Sequence, residues 1–406
     1  MNLLIINQPL NNRGDESAHK ALVRNLHKSI PDATITVLFV NANGNSIDQF
    51  NVHLGNVDYV NISSLKYYGH FMLLGLRYNL YFLWYFHPTI RKISKYYKAA
   101  DWVICAPGGI CMGGFQNWAH LFFLQLARFY HKKLIYYGRS FGPFPIATYK
   151  NRIFKRLSVG LLKYISFLSI RDSKTEILAR QLGISYTKTL DTAFLDNPSV
   201  ELPKELQSIT QKKFMVFVPN LLIWHYKYKN QISKNNVITF YHEIVNLIKE
   251  KYPQYNIVML PQTFNFGTYL GDDVNFFKEL ALSINDSRII VVDDIYSSDV
   301  QQVVISKSQF LIGARYHSVV FAINNNIPFI ALSYEHKIAG MLCSLGKEDS
   351  MVDITNISND KSENQKIIDK IEEKILLLAS DRTAQIRAKK IASECFNKLL
   401  NTINKS

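Results

Sequence analysis

Arg315 and His317 stand two residues apart in GARYHS, directly after the apolar run QFLIGA. A guanidinium is a planar fork suited to a carboxylate or a phosphate, and an imidazole is the side chain best able to give up a proton near neutral pH. Together they could hold an anion and protonate it. Arg171 closes another apolar run, ISFLSIRD, and is a second candidate clamp for an anion, with Asp172 or Ser173 placed to cap the helix that follows. The same residues also read as an ordinary helix turn and a surface arginine.

Two glycine-bearing stretches follow predicted strands. In NNRGDESA, Gly14 permits a tight turn, and Asp15 and Glu16 lie where carboxylates favour a helix start. In PGGICMGG, Gly108 and Gly109 stand between the strand WVICA and a helix, where the backbone can approach a ligand and helix N–H groups can face an anion. The spacing is neither GxxxxGK[ST] nor GxGxxG, so neither a nucleoside triphosphate nor a dinucleotide is indicated. No His, Cys, Asp and Glu set has metal-ligand spacing, Asp293-Asp294 reads as a helix start, and there is no GxSxG elbow.

Elements that would position these residues alternate along the chain. LLIIN, ATITVLFV, WVICAP, KLIYYGRSFG and ISFLSIRD read as strands separated by helical stretches, which implies a parallel sheet covered by helices. Around 197–213 the composition turns polar, in NPSVELPKELQSITQKK, and the alternation then resumes with FMVFVP, NIVMLPQ, RIIVVDD, QFLIGA and IPFIALS. The reading is α/β, with two Rossmann-like domains, residues 1–200 and 210–406, facing across a cleft at the carboxyl ends of both sheets. The tail, about 361–403, reads as two helices of the second domain.

At 406 residues, 48% apolar and 13% aromatic, the chain has the composition of a globular protein with more than one core. The four cysteines form no CxxC pair, and the start has no basic region ahead of its short apolar run, so a cytoplasmic, reducing location is expected. The charge is unevenly spread. Residues 59–171 hold sixteen Lys and Arg and one acid, Asp101, which accounts for the whole net charge of +15. Such a block attracts nucleic acid, anionic lipid or a phosphorylated small molecule. Within it, residues 66–98 carry many aromatics, six bases and no acid. This segment is too broken to span a bilayer and reads either as core or as a helix lying peripherally on an anionic membrane.

Taken in chain order, these stretches resemble the polysaccharide pyruvyl transferase family. The motifs are Asn12-Arg13-Gly14-Asp15-Glu16, the glycine cluster from Asp101 to Gly109, Tyr137 to Phe144, Ser169 to Asp172, and Asp191 to Phe194. Leu260 to Gln262 and the long pattern from Arg315 to Lys337 complete the set. Ile110 and Arg139 depart from the commoner family residues. The resemblance implies transfer of the pyruvyl group of phosphoenolpyruvate, as donor substrate without a further cofactor, onto two hydroxyls of a sugar in a glycan or lipid-linked acceptor. It implies that Arg171, Arg315 and His317 act on the donor, with Lys337 and Arg139 as phosphate contacts. Gly108, Gly109 and Gln262 would line the site, and Asp15 or Asp191 would orient the acceptor hydroxyl. An alternative is a GT-B-like glycosyltransferase using a nucleotide sugar, which should carry a late acidic motif where only Glu335 stands. A membrane- or nucleic-acid-binding protein without catalysis would account for the charge block alone, so no nucleic-acid partner is expected.

Overall fold

The computed structural model describes residues 1–10, 12–225, 227–229, 231–264 and 272–405. The chain divides into two compact units, the first made of Met1–Leu10, Asp15–Asp196 and Lys390–Ser406. The second takes in 197–389 together with the short stretch that ends at Gly14.

The first unit is built on seven parallel strands: β1 (Asn2–Ile6), β2 (Thr34–Val40), β3 (Val57–Ile62), β4 (Trp102–Cys105), β5 (Lys133–Tyr136), β6 (Phe167–Ile170) and β7 (Thr187–Lys188). Their order is β3-β2-β1-β4-β5-β6-β7. Successive side chains of a strand point to opposite faces, and each face here has its own core. Leu3 and Ile5 join Ile35, Val37, Trp102 and Ile104 on one side. Leu4 and Ile6 join Leu38, Val103 and Cys105 on the other. Both faces are buried, which is why these strands read as continuous apolar runs.

The second unit carries six parallel strands: β8 (Phe214–Val218), β9 (Asn256–Met259), β10 (Ile289–Val291), β11 (Leu311–Gly313), β12 (Phe329–Ser333) and β13 (Met351–Asp353). Their order is β10-β9-β8-β11-β12-β13. In both sheets the winding reverses beside the first strand, between β1 and β4 and between β8 and β11. Connections at such a reversal diverge and leave a crevice at the carboxyl ends of the two strands.

Two expectations need correction. The sequence boundary assigns the whole tail to the second domain, but the last helix, Arg382–Asn404, sends Cys395, Phe396, Leu399 and Ile403 into a core of the first sheet. Burying that apolar stripe fixes its place, and the periodicity alone gave no address for it. Residues 66–98 are not one surface helix. They form helices Tyr68–Tyr78 and Pro88–Ala99 around a short 3-10 turn, Tyr81–Tyr85. The break comes at Asn79, which is left-handed with φ of 59°. Met72, Leu76, Trp84, Ile90, Ile93 and Tyr97 from this segment are core.

Candidate functional site

In the second unit, β11 ends at Gly313 and the helix Tyr316–Asn324 begins two residues later, with Arg315 at its N-cap and His317 in its first turn. Both therefore leave the sheet at the β8/β11 reversal. Gly313 is required there, since a Cβ would lie 2.3 Å from the Ser318 hydroxyl. That hydroxyl donates to the Arg315 carbonyl at 2.6 Å and tightens the turn.

Arg315 is braced by residues that the motif does not contain. Its Nη2 donates to the Thr263 hydroxyl at 3.0 Å and pairs with Asp273 Oδ1. The other oxygen of Asp273 accepts the backbone N–H groups of Gln262 and Thr263 at 3.0 and 3.1 Å. One buried carboxylate thus ties the loop after β9 to the guanidinium. Burial works against the charge on Arg315, but Asp273 and the nearby Tyr334 hold its pKa above the usual arginine value. Arg315 Nε and Gln262 Nε2 are buried donors with no hydrogen-bond partner among the described residues. Both are donors that an anionic or hydroxylated ligand could satisfy.

His317 is 8% exposed. A Cβ on Gly14 would fall 1.8 Å from its Nδ1. Gly14 is therefore needed for the close approach of the imidazole, a reason beyond the tight turn expected from sequence. The same stretch runs beside the loop after β9. Arg13 N–H donates to the Gln262 carbonyl at 3.0 Å, Asn12 bridges Thr263, and the Arg13 guanidinium lies 5.0 Å over the Phe264 ring. Lys337 is the second residue of the helix His336–Leu345, with Nζ 3.3 Å from Glu335. Between Lys337 and Arg315 in the chain lies buried Tyr334, whose ring is 5.7 Å from that of His225.

In the first unit, Arg171 and Asp191 are placed against each other as an ion pair. Asp191 is fully buried and also accepts the Ala193 N–H at 3.0 Å, capping the 3-10 turn Thr192–Leu195. A carboxylate so enclosed orients Arg171 and has no open face for an acceptor hydroxyl. Asp172 caps the helix Ser173–Gln181, as its position after the strand predicts.

Arg139 is buried and binds main chain. Nε donates to the Gly109 carbonyl at 3.0 Å, and Nη1 to those of Asn7 and Ala106 at 3.1 and 2.7 Å. The Cys105 and Cys111 sulfurs lie at 3.7 and 3.4 Å. Burial pushes the Cys105 thiol up to about 11, so it is neutral at pH 7 and leaves the guanidinium its full charge. Asp15 adds a favourable field at Arg139. A cavity of about 390 Å³ opens at the β1/β4 reversal, lined among others by Asn7, Gln8, Asn41, Asn117, His120 and Arg139. Apart from Arg139, the polar members of this set carried no sequence signal.

The glycine cluster also departs from expectation. The next helix starts only at Trp118, capped by Asn117, well beyond Gly108 and Gly109 in the chain. Gly108 bridges Arg139, and its Cβ would meet Pro9 at 2.8 Å. Gly113 would strike the Gly142 carbonyl at 2.5 Å. Close packing of loop on loop explains these two; Gly109 has open space beside it, and its carbonyl accepts from Arg139 Nε.

The model of the family described as polysaccharide pyruvyl transferase matches residues 12–336, most of the chain. A curated relative, an amylovoran biosynthesis protein of Erwinia amylovora, is 24% identical over 249 residues, 56% of this chain and 55% of that protein. The chain thus spans about half the length of that relative. Among solved structures, a UDP-GlcNAc 2-epimerase of Neisseria meningitidis bound to UDP-GlcNAc aligns with a TM-score of 0.60 at 12% identity, over 98% of this chain and 100% of that one. An α,α-trehalose 6-phosphate synthase of Burkholderia multivorans aligns at 0.54 with 9% identity, over 99% and 98%. These likenesses show the fold: two α/β units of the kind found in GT-B-type enzymes.

Proposed function

We propose that the chain, which belongs to the polysaccharide pyruvyl transferase family, is a phosphoenolpyruvate-dependent transferase that builds a cyclic pyruvate ketal on two hydroxyls of a glycan or lipid-linked sugar. The observation that carries this reading is the pairing of His317 with a braced Arg315 at one strand-end crevice. Arg315 and Lys337 attract the carboxylate and phosphate of the donor. Because Asp273 already holds one edge of Arg315, the side chain is fixed in place before substrate arrives, and its Nε remains to be satisfied.

Protonated His317 gives its proton to the methylene carbon of the donor. The double-bond electrons form the new C–H bond, and the central carbon becomes an oxocarbenium-like centre. A sugar hydroxyl adds to that centre and loses its proton. The C–O bond to phosphate then breaks, phosphate departs with the bonding electrons, and the second hydroxyl closes the ring with loss of its own proton. One of the two released protons restores the imidazolium. Asp15, whose charge favours the Arg139 guanidinium, would orient an acceptor hydroxyl; Asp191 instead holds Arg171.

The test is incubation with phosphoenolpyruvate and a panel of oligosaccharide acceptors, reading phosphate release together with the acceptor's mass gain of one ketal-linked pyruvyl group. Release of nucleoside diphosphate from a nucleotide sugar, with no phosphate from phosphoenolpyruvate, would overturn the reading in favour of glycosyl transfer.

A further inference from the structure

We propose that the outer face of the helix Tyr68–Tyr78 and of the 3-10 turn after it docks the protein onto an anionic lipid bilayer. His70, Leu74 and Tyr78 follow at a spacing of four, so they form one stripe on that helix, and Tyr67 stands at its N-cap. None of the four is buried. Beneath the stripe, Gly75 admits Trp84 so closely that a Cβ would lie 2.1 Å from the indole nitrogen. The indole N–H donates to the Phe71 carbonyl at 3.1 Å. Seating Trp84 inward turns its neighbours outward: Phe82 is 56% and Phe86 68% exposed, and Tyr85 is half exposed. Several large apolar side chains on one short segment far exceed the scattered single exposures ordinary on a soluble surface.

The charge around these rings selects the partner. Arg91, Lys92, Lys95 and Lys98 are exposed on the helix Pro88–Ala99, and no acid occurs between Asp58 and Asp101. Tyr85 stands 5.5 Å from Phe129, ring to ring. Phe129 lines a groove of about 580 Å³ together with Tyr81, Arg128, His131 and Arg156, and no carboxylate is among the lining residues. Exposed aromatic rings beside an unopposed cationic field match the headgroup zone of an anionic bilayer, where rings enter the interface and bases meet phosphates. Among the described residues no helix is long and apolar enough to cross a membrane. The contact is therefore one of lying on the surface.

The test uses the full chain in flotation with vesicles of phosphatidylcholine containing phosphatidylglycerol, and of phosphatidylcholine alone. Flotation is expected with the anionic vesicles only, and to weaken as salt is raised. Phe82→Ser, Tyr85→Ser and Phe86→Ser combined should reduce it about tenfold or more through lost apolar burial. Arg128→Glu with Arg156→Glu should reduce it likewise. All five positions are outside the proposed donor site, so phosphate release with a water-soluble acceptor should be unchanged, which separates this proposal from the functional one. A wild-type chain that stays with neither vesicle at low salt overturns it. So does flotation insensitive to both sets of substitutions, a dimer in light scattering that the serine variant dissociates, or tighter retention by single-stranded nucleic acid than by the anionic vesicles.

Discussion

Arg139 and Arg315 both lie at the carboxyl end of a parallel sheet, one in each unit, Arg139 fully buried and Arg315 half-buried, and they are held by different kinds of partner. Arg139 is surrounded by carbonyls of Asn7, Ala106 and Gly109 and by two thiols. Those contacts draw together the chain leaving β1 and the chain leaving β4. Arg315 is held by a single carboxylate and one hydroxyl on the same Nη2, with Nε left over. A guanidinium enclosed by main-chain carbonyls and thiols organises loops. A guanidinium held at one edge, with Nε left over, is the one suited to the donor role proposed for it. The inventory of partners separates the two in the same sense as their burial, which is complete for Arg139 and partial for Arg315.

The comparison breaks most sharply at His317. His317→Asn should lower phosphate release from phosphoenolpyruvate by about 10²- to 10⁴-fold while leaving the circular dichroism spectrum intact, the span expected for loss of a general acid. Retained turnover would remove the second unit's claim to the chemistry.

The next largest effect separates the two arginines. Arg139→Met strips donors from one buried and two half-buried carbonyls, each costing up to about 1–3 kcal/mol, and should lower the urea midpoint of the first unit. Arg315→Met leaves Asp273 a buried, uncompensated charge, a loss of about 3–5 kcal/mol. Arg315→Lys keeps the charge and should instead raise the KM for phosphoenolpyruvate. If Arg139→Met folds normally and loses donor affinity instead, the contrast is reversed.

Gly14→Ala probes the imidazole's setting without touching its chemistry. The added methyl must displace the ring of His317, so kcat should fall while the urea midpoint moves less than with Arg139→Met. The last test is the response to acid. Burial lowers the His19 pKa to about 3 and holds His120 well below its usual range, with Lys20 and Arg139 adding to the respective shifts. Below about pH 6.5 the unfolded chain takes up these protons and the folded one does not. Stability therefore falls with pH from that point, by up to about 1.4 kcal/mol per pH unit for each histidine. For His19 the loss continues to about pH 3. Urea midpoints at pH 7 and pH 5 check this, and a stability that rises on acidification would count against it.

Much of the fold was legible because strands covered on both faces must be apolar along their whole length, as LLII and WVIC are. The polar strand β3, Val57–Ile62, was not, since all its residues but Ile62 are half-buried or exposed at a sheet edge. At the site, Arg315 and His317 could be placed by the strand that precedes them. Asp273 could not, since nothing local distinguishes it from Asp272 at the start of the same helix. Asp272 takes the cap, accepting the Val274 N–H at 2.9 Å, and Asp273 turns to Arg315. Asp191 suffered the opposite fate, its candidate role as an acceptor contact giving way to burial against Arg171. Such pairings join residues far apart in the chain and leave no local pattern to read.

The contact between Gly14 and His317 places a constraint on how this sequence can diverge. A side chain at position 14 and an imidazole at position 317 compete for the same volume, so the two sites should covary across relatives as a linked pair. Lineages that keep the histidine must keep the glycine. Lineages that admit a larger residue at position 14 should have released the histidine, and with it the proton transfer proposed for it. Two letters at opposite ends of the family pattern would then distinguish chains that retain this chemistry from chains that preserve only the scaffold.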